Sequence, residues 1–320
     1  MRNGVMSIVA LSFFLSGCPE SSDTNSAITA VNDQPAGAVA TYSAAEFFET
    51  TTFATPQATP YAFASNNLDL LIGSDQSGVF NVYRLNTGTG EQQQLTFSQG
   101  SPIAPISWFP KDDRFLFSQD GSGDELDHIY VQTPEGESRD LTPGEQVKAF
   151  MLGWATGGDA FYIATNERDS SAFDVYRYNA DDYQRALVYE NTDAFSIGDI
   201  SSDGQWLALI QEINNANNEL LLLNLSDTST DPVVIKGLQA DVKHSVLGFS
   251  PDNATLVYGT DAHGDFVQAW TYEFSTQKTA ILVDAPWDVS YSFYSPSGRY
   301  RVTGINADAS TQVSIVDNES

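Results

Sequence analysis

Short apolar runs, each closed by polar turn residues, recur along almost the whole chain. An aromatic or aliphatic anchor ahead of a turn stands at Phe63, Trp108, Trp154, Ile200, Phe249 and Phe293, at intervals of 45, 46, 46, 49 and 44 residues. Turn chemistry follows most anchors: Pro110-Lys111-Asp112-Asp113, Ser202-Asp203-Gly204, Pro251-Asp252-Asn253 and Pro296-Ser297-Gly298. Such Pro, Asp, Asn and Gly clusters supply the backbone angles of tight hairpins. A second ladder, Tyr83, Tyr130, Tyr176, Leu222, Trp270 and Ser314, trails the anchors by 20 to 22 residues. One run lies between anchor and ladder (Arg114–Ser118, Trp206–Ile210) and a fourth, weaker run follows (Gln93–Thr96, Ser138–Thr142, Thr279–Val283). Four short strands per unit and about six units of about 46 residues predict an all-β protein, a β-propeller of four-stranded blades. One blade cannot bury both faces of its sheet, so neighbours must cover each other. The last unit ends without a fourth run: either Thr51–Thr55 (TTFAT) supplies it and closes a six-bladed ring, or the ring is open and the chain is part of something larger.

The first residues follow another pattern. Residues 1–17, MRNGVMSIVALSFFLSG, carry one charge, Arg2, and an apolar stretch from Val5 to Leu15. That is shorter than the roughly 20 apolar residues a membrane-spanning helix needs, and it suits a secretory signal peptide. Leu15-Ser16-Gly17-Cys18 resembles a bacterial lipoprotein signal, which implies lipidation of Cys18, the single cysteine. Pro19, where an Asp would resemble an inner-membrane retention signal, points to the outer membrane, facing the periplasm. Residues 18–41, rich in Ser, Asp, Asn, Thr, Ala and Pro, read as a flexible tether, and residues 42–320 as the propeller domain. Ser43-Ala44-Ala45-Glu46 is a capping box that predicts a short helix from Ala44 to Glu49, its Phe47 and Phe48 packed on the residues that come next.

Composition narrows the partners. The 320 residues hold 14 Lys+Arg against 42 Asp+Glu, a formal net charge of −28. Such a field repels phosphates, so nucleic acid is excluded as a partner. One cysteine excludes an intrachain disulfide and a Cys-rich metal site. The loop Asp120-Gly121-Ser122-Gly123-Asp124-Glu125-Leu126-Asp127 offers alternating oxygen ligands at Asp120, Ser122, Asp124 and Asp127, a weak candidate for Ca²⁺. The Glu that would close a calcium loop is absent, because position 131 is Val, and a solvated hairpin loop competes with this reading. No other cofactor is implied. His128, His244 and His263 fall in three different repeats as the anchors divide the chain, none with a partner at metal-ligand spacing. Asp193, Asp199 and Asp203 read as turn and loop residues, and Trp108 and Trp154 as core.

Several stretches carry a family resemblance: the opening YSAAEFFE from Tyr42, Gly123-Asp124-Glu125 with HIYV downstream, PEGESRDLTP from Pro134 to Pro143, and Asn166-Glu167-Arg168-Asp169 followed by Phe173-Asp174-Val175-Tyr176-Arg177. From Tyr42 to Asp317 the chain resembles the N-terminal propeller of the prolyl oligopeptidase family of serine peptidases, on the dipeptidyl-peptidase and acylaminoacyl-peptidase side. The FSPDN and YSPSG turns are shared more widely, with TolB-type propellers among others. The resemblance implies a seven-bladed propeller followed by an α/β-hydrolase domain with a Ser-Asp-His triad. No Gly-x-Ser-x-Gly nucleophile elbow occurs in this sequence, and Gly73-Ser74-Asp75 and Gly121-Ser122-Gly123 have the wrong spacing. No catalytic residue is therefore assigned. The resemblance also implies that acidic propeller residues face a catalytic domain or a substrate's N-terminus; Glu125 and Glu167, with the neighbouring Arg168, are candidates for such an interface, and their place on the central face decides it. Arg168 is better suited to pair with a neighbouring carboxylate and tie two blades together than to bind a ligand. The expected function is a non-catalytic, lipid-anchored propeller of the cell envelope that binds a protein or peptide. The alternative is the propeller part of a serine peptidase, gating a separately encoded hydrolase domain.

Overall fold

The computed structural model describes residues 41–56, 60–227, 229–235 and 241–319. The signal peptide, Cys18 and nearly all of the tether lie outside the described residues. No helix among the described residues is long and apolar enough to cross a membrane.

The capping box forms helix α1 (Ala44–Phe48): Glu46 donates its amide to Ser43 Oγ at 3.3 Å, and Ser43 returns its own amide to the Glu46 carboxylate at 2.6 Å. The aromatic expectation is corrected. Phe47 meets Tyr42 edge-on at 5.7 Å, and both Phe47 and Phe48 are exposed. The chain divides into two compact units between Glu49 and Thr50.

The second unit is a six-bladed antiparallel propeller. Blade one holds β1 (Phe53–Ala54), β2 (Asp69–Ser74), β3 (Asn81–Asn86) and β4 (Gln92–Gln94). Blade two holds β5 (Ile103–Trp108), β6 (Phe115–Gln119), β7 (His128–Gln132) and β8 (Ser138–Asp140). Blade three holds β9 (Ala149–Trp154), β10 (Ala160–Asp169), β11 (Ala172–Asn179) and β12 (Arg185–Tyr189). Blade four holds β13 (Ser196–Ile200), β14 (Trp206–Asn214), β15 (Asn217–Asn224) and β16 (Val233–Ile235). Blade five holds β17 (His244–Phe249), β18 (Thr255–Thr260), β19 (Gln268–Glu273) and β20 (Lys278–Val283). Blade six has three strands, β21 (Asp288–Tyr294), β22 (Tyr300–Ala307) and β23 (Ser310–Asp317).

Register explains the repeat. Each anchor pairs with the residue seven positions later: Phe63 with Leu70, Trp108 with Phe115, Trp154 with Phe161, Ile200 with Leu207 and Phe249 with Leu256. In blade six that pair is Tyr294 and Arg301, so the sixth anchor is Tyr294 and not Phe293. The turns between them close as their residues predict: Asp112, Asp203 and Asp252 each accept the amide two residues on, from Arg114, Gln205 and Ala254. In blades two to five the anchor is the last residue of the innermost strand, so unit boundaries drawn at the anchors leave the rest of that strand with the preceding unit. His244 and His263 therefore share blade five, a correction to their assignment to separate repeats.

Hydrophobic clusters form between blades, as stacked sheets require. Leu71 and Val82 meet Ile103, Trp108 and Phe115 across blades one and two; Phe109, Leu116 and Ile129 meet Trp154, Phe161 and Tyr178 across two and three. Tyr162 and Val175 meet Leu207 and Leu209 next, and Leu220 and Leu222 meet Leu256 and Tyr258 after that. No such cluster of the described residues spans blades six and one. The expectation that TTFAT completes the last blade is overturned as well. Phe53 and Ala54 pair with Ser74 and Gly73, on the strand β2 of their own blade. They extend the innermost strand of blade one, where Phe63 bridges to Leu70 further along the same partner.

Candidate functional site

Antiparallel alternation puts every connection from second to third strand on one face of the ring, with the crossings into the next blade. The candidate residues from the sequence fall there. Three of those hairpins are long: β10 and β11 run to Asp169 and Ala172, β14 and β15 to Asn214 and Asn217, and β22 and β23 to Ala307 and Ser310.

The 120–127 loop spends part of its oxygens on its own backbone, while Asp120 Oδ1 is buried with no hydrogen-bond partner. Asp124 Oδ1 accepts the amides of Gly121 and Leu126 at 3.0 Å each, and Asp120 Oδ2 accepts that of Gly123 at 3.0 Å. The Leu126 amide first of all holds the Asp124 carboxyl below the usual carboxylate range. Ser122 Oγ lies 3.2 Å from Ser101 Oγ, and Glu125 is exposed in a left-handed conformation, φ 60°. Among the described residues no three or more His, Cys, Asp or Glu side chains are placed to hold a metal ion.

Glu167 and Arg168, adjacent in sequence, bind different partners. Arg185 donates from Nη1 to Glu167 Oε2 at 2.8 Å and pairs through Nη2 with Oε1 at 2.8 Å, tying β10 to β12, and lies 4.6 Å over the Tyr176 ring. Burial, with the Glu167 carboxylate adding to it, pushes the Tyr176 hydroxyl up to about 12. Arg168 forms a two-point bond with Asp174, Nε to Oδ2 and Nη2 to Oδ1 at 2.7 Å each, and reaches the Asn191 carbonyl at 3.0 Å. Asp174 is fully buried and also accepts the Asn191 amide at 2.8 Å. Asn191 in turn closes the 191–195 turn, donating to the Phe195 carbonyl at 2.8 Å and accepting the Phe195 amide at 3.0 Å. Arg168 thus anchors the crossing from blade three into blade four. No hydrogen bond or ion pair among the described residues joins Glu167 or Arg168 to the 120–127 loop.

Two buried titratable groups escape sequence reading. Asp199, expected in a turn or loop, stands in β13, just past a bulge. Its Oδ1 accepts the Ile200 amide at 2.8 Å. Its Oδ2 lies 3.6 Å from the place a Cβ would occupy on Gly248 of the next blade, whose φ of 129° favours glycine. Protein atoms enclose the carboxyl although part of its surface stays reachable, and this burial pushes it up to about 7. Asp193 and Asp203 are in loop and turn as expected. The signal for Asp199 was the Gly198 before it. A bulge sits two residues before the anchor in blades two to five, at Ile106, Leu152, Gly198 and Leu247.

His244, which opens β17, is buried with no hydrogen-bond partner for either ring nitrogen. Burial pushes its imidazole below the ordinary 6.5, Asp261 and Glu219 oppose that, and His263 adds to it. His263 stacks on Trp270 at 4.1 Å. A folded pKa below the unfolded one means that the unfolded chain binds the extra proton, so stability rises with pH in the window between the two. Between pH 7 and 5.5 protonation of Asp199 adds stability while His244 removes it, so the His244 part is read as the melting temperature of the wild type minus that of His244→Phe, a difference expected to fall as pH drops. A difference that does not change with pH in calorimetry would reject the assignment to His244.

The third histidine, His128, bonds through Nδ1 to Asp140 at 2.8 Å. No Ser or Thr hydroxyl is hydrogen-bonded to this pair among the described residues, and the sequence has no nucleophile elbow. The described residues form a propeller alone, with no α/β-hydrolase sheet.

No family model matches the chain. Among curated proteins it is similar to dipeptidyl aminopeptidase BIII of Pseudoxanthomonas mexicana, 25% identical over 225 residues, which cover 69% of this chain and 32% of that protein. The chain spans a third or less of the curated relatives it matches. Among solved structures, one from a study of two prolyl endopeptidases superposes with a TM-score of 0.62 at 14% identity, over 85% of this chain and 42% of the other. Oligogalacturonate lyase from Vibrio parahaemolyticus gives 0.59 at 13% identity, over 84% and 77%. At these identities the structural likeness speaks to architecture: residues 50–319 are a β-propeller of six blades, the last of three strands.

Proposed function

We propose that this chain is the propeller part of a serine peptidase of the prolyl oligopeptidase kind, working with an α/β-hydrolase domain that its 320 residues do not contain. The 225-residue match to a dipeptidyl aminopeptidase carries the reading, because it runs through most of the propeller and not through one turn motif. In this role the propeller binds peptide and limits access to the hydrolase, and chemistry stays with the partner domain. The 120–127 loop and the β10–β11 hairpin are the parts offered to that partner. Glu125 is the open carboxylate there, while Glu167 and Arg168 keep the hairpin stiff. Lipidation of Cys18 would hold the assembly at the envelope, on the periplasmic side of the outer membrane.

The test is reconstitution. The purified chain and the product of any adjoining α/β-hydrolase reading frame are assayed singly and together on dipeptidyl p-nitroanilides and on longer peptides. Cleavage that becomes size-selective only in the mixture is expected. Lack of an adjoining hydrolase, or a hydrolase indifferent to the propeller, would sink the peptidase reading and leave a binding module without catalysis.

A further inference from the structure

Blade six exposes a face that the blades before it bury. Counted from the anchor, Val313 holds the position of Ile129, Val175, Leu220 and Ala269 in blades two to five. Those four are at most 1% exposed, whereas Val313 is 58% exposed. Ile315, 67% exposed, holds the position of Val131 and Leu222, which are 2% and 0% exposed, and of Arg84, Arg177 and Thr271 in the other three blades, which are polar and not buried. Phe293, Val302 and Ile315 stand in register across the three strands, as do Tyr291, Gly304 and Val313, so the apolar strip runs unbroken to the sheet edge. That edge is β23, with no strand beyond it among the described residues, whereas the other five blades end in a fourth strand. An uncapped strand beside an apolar face is a template for strand addition.

Charge selects the occupant. Three of the five fourth strands carry a cation at or near their entry: Arg139 in β8, Arg185 in β12 and Lys278 in β20. Lys278 pairs with Glu273, and the residue at the position of Glu273 in blade six is Asp317. Arg299 bonds to Asp317 at 2.8 Å and lies 3.8 Å from the Glu319 carboxylate, so two carboxylates share one guanidinium at that corner. A formal net charge of −28 repels a second copy and attracts a basic segment. We propose that blade six accepts an extended segment of another polypeptide, basic at its entry and apolar along one side, which adds antiparallel to β23 as its fourth strand. The proposal is independent of the peptidase reading.

A labelled peptide copying residues 277–284 of blade five, QKTAILVD, serves as probe and is titrated into the full chain by fluorescence anisotropy. Saturable binding is expected, with slowed amide exchange along β23. Joint Val313→Thr and Ile315→Thr substitution, which keeps β-branched residues, should weaken binding on the order of tenfold. Replacing the peptide's lysine with glutamate should weaken it too. A peptide with proline at its central alanine makes the same test if the double variant does not fold, and it should not bind. Absence of saturable binding, or binding indifferent to these changes, would overturn the proposal. So would a dimer in sedimentation that the double substitution disperses, because the face would then belong to a second copy.

Discussion

Trp154→Ala is expected to lower stability by about 3–5 kcal/mol, the range for removing a large aromatic from a packed core. Trp154 is buried where three blades meet. Its ring lies edge-on to Tyr61 of blade one at 5.8 Å and to Phe109, which follows β5, at 5.0 Å, and it packs on Phe161 of its own blade at 5.2 Å. Its indole N–H donates to Ser107 Oγ of blade two at 2.9 Å. Collapse around the void is blocked, because each neighbour is held by a different sheet. Trp154→Phe separates the contributions: it keeps most of the packing and loses the hydrogen bond, a loss of about 1 kcal/mol. Urea unfolding of the three proteins measures both. A loss below about 1 kcal/mol for the alanine variant would mean that the blades do not depend on one another at this junction.

The second large effect is expected at Asp174. Removing it with Asp174→Ala leaves the Asn191 amide without its acceptor and the Arg168 guanidinium with the Asn191 carbonyl but no bonded carboxylate, a loss of about 3 kcal/mol. The lower end of the range for breaking a buried ion pair applies, because Arg168 keeps a third of its side chain in water and can resolvate. The pH dependence has a definite sign. Burial pushes the Asp174 carboxyl up, but Arg168 and the Asn191 amide outweigh it and hold it below the ordinary 3.8. A depressed carboxylate contributes stability that is full above the unfolded value and is lost as pH falls through the folded one. Wild type and variant should therefore differ at pH 7 and converge in strong acid. Persistence of the full difference at pH 2 would show that Asp174 acts through packing and not through its charge. Proteolysis within residues 190–195 should also speed up in the variant, since Asn191 loses the bond that positions that crossing.

The periodic part of this protein was open to sequence reading because propeller blades are local. A strand, its turn and its hairpin partner lie within one repeat, so anchors such as Trp108 and Trp154 and turns such as Pro251-Asp252-Asn253 reveal pairing at short range. The same locality made the Ser43 capping box and the missing fourth strand of blade six legible. It misled at Phe293, where two adjacent aromatics left the phase to be set by register with Arg301. It misled again at Thr51–Thr55, since which sheet a short apolar strand joins is decided by chain geometry and not by its composition.

The candidate site was read less well, for a related reason. Sequence could mark Glu167 and Arg168 as charges at a strand end, but not that they bind Arg185 and Asp174 on separate sides of the hairpin. Asp199 looked like one acid among many. Burial just past the bulge of β13, close to the bare backbone of Gly248 in the next blade, raises its pKa. His244 likewise became notable only through burial between elements far apart in sequence. Sequence by itself determined the repeat, its strand content and the acidic field, because these follow from neighbours along the chain. Tertiary structure alone decided which charges are neutralised, which carboxyl is desolvated and which sheet edge stays open, because desolvation and pairing depend on neighbours brought together from different blades.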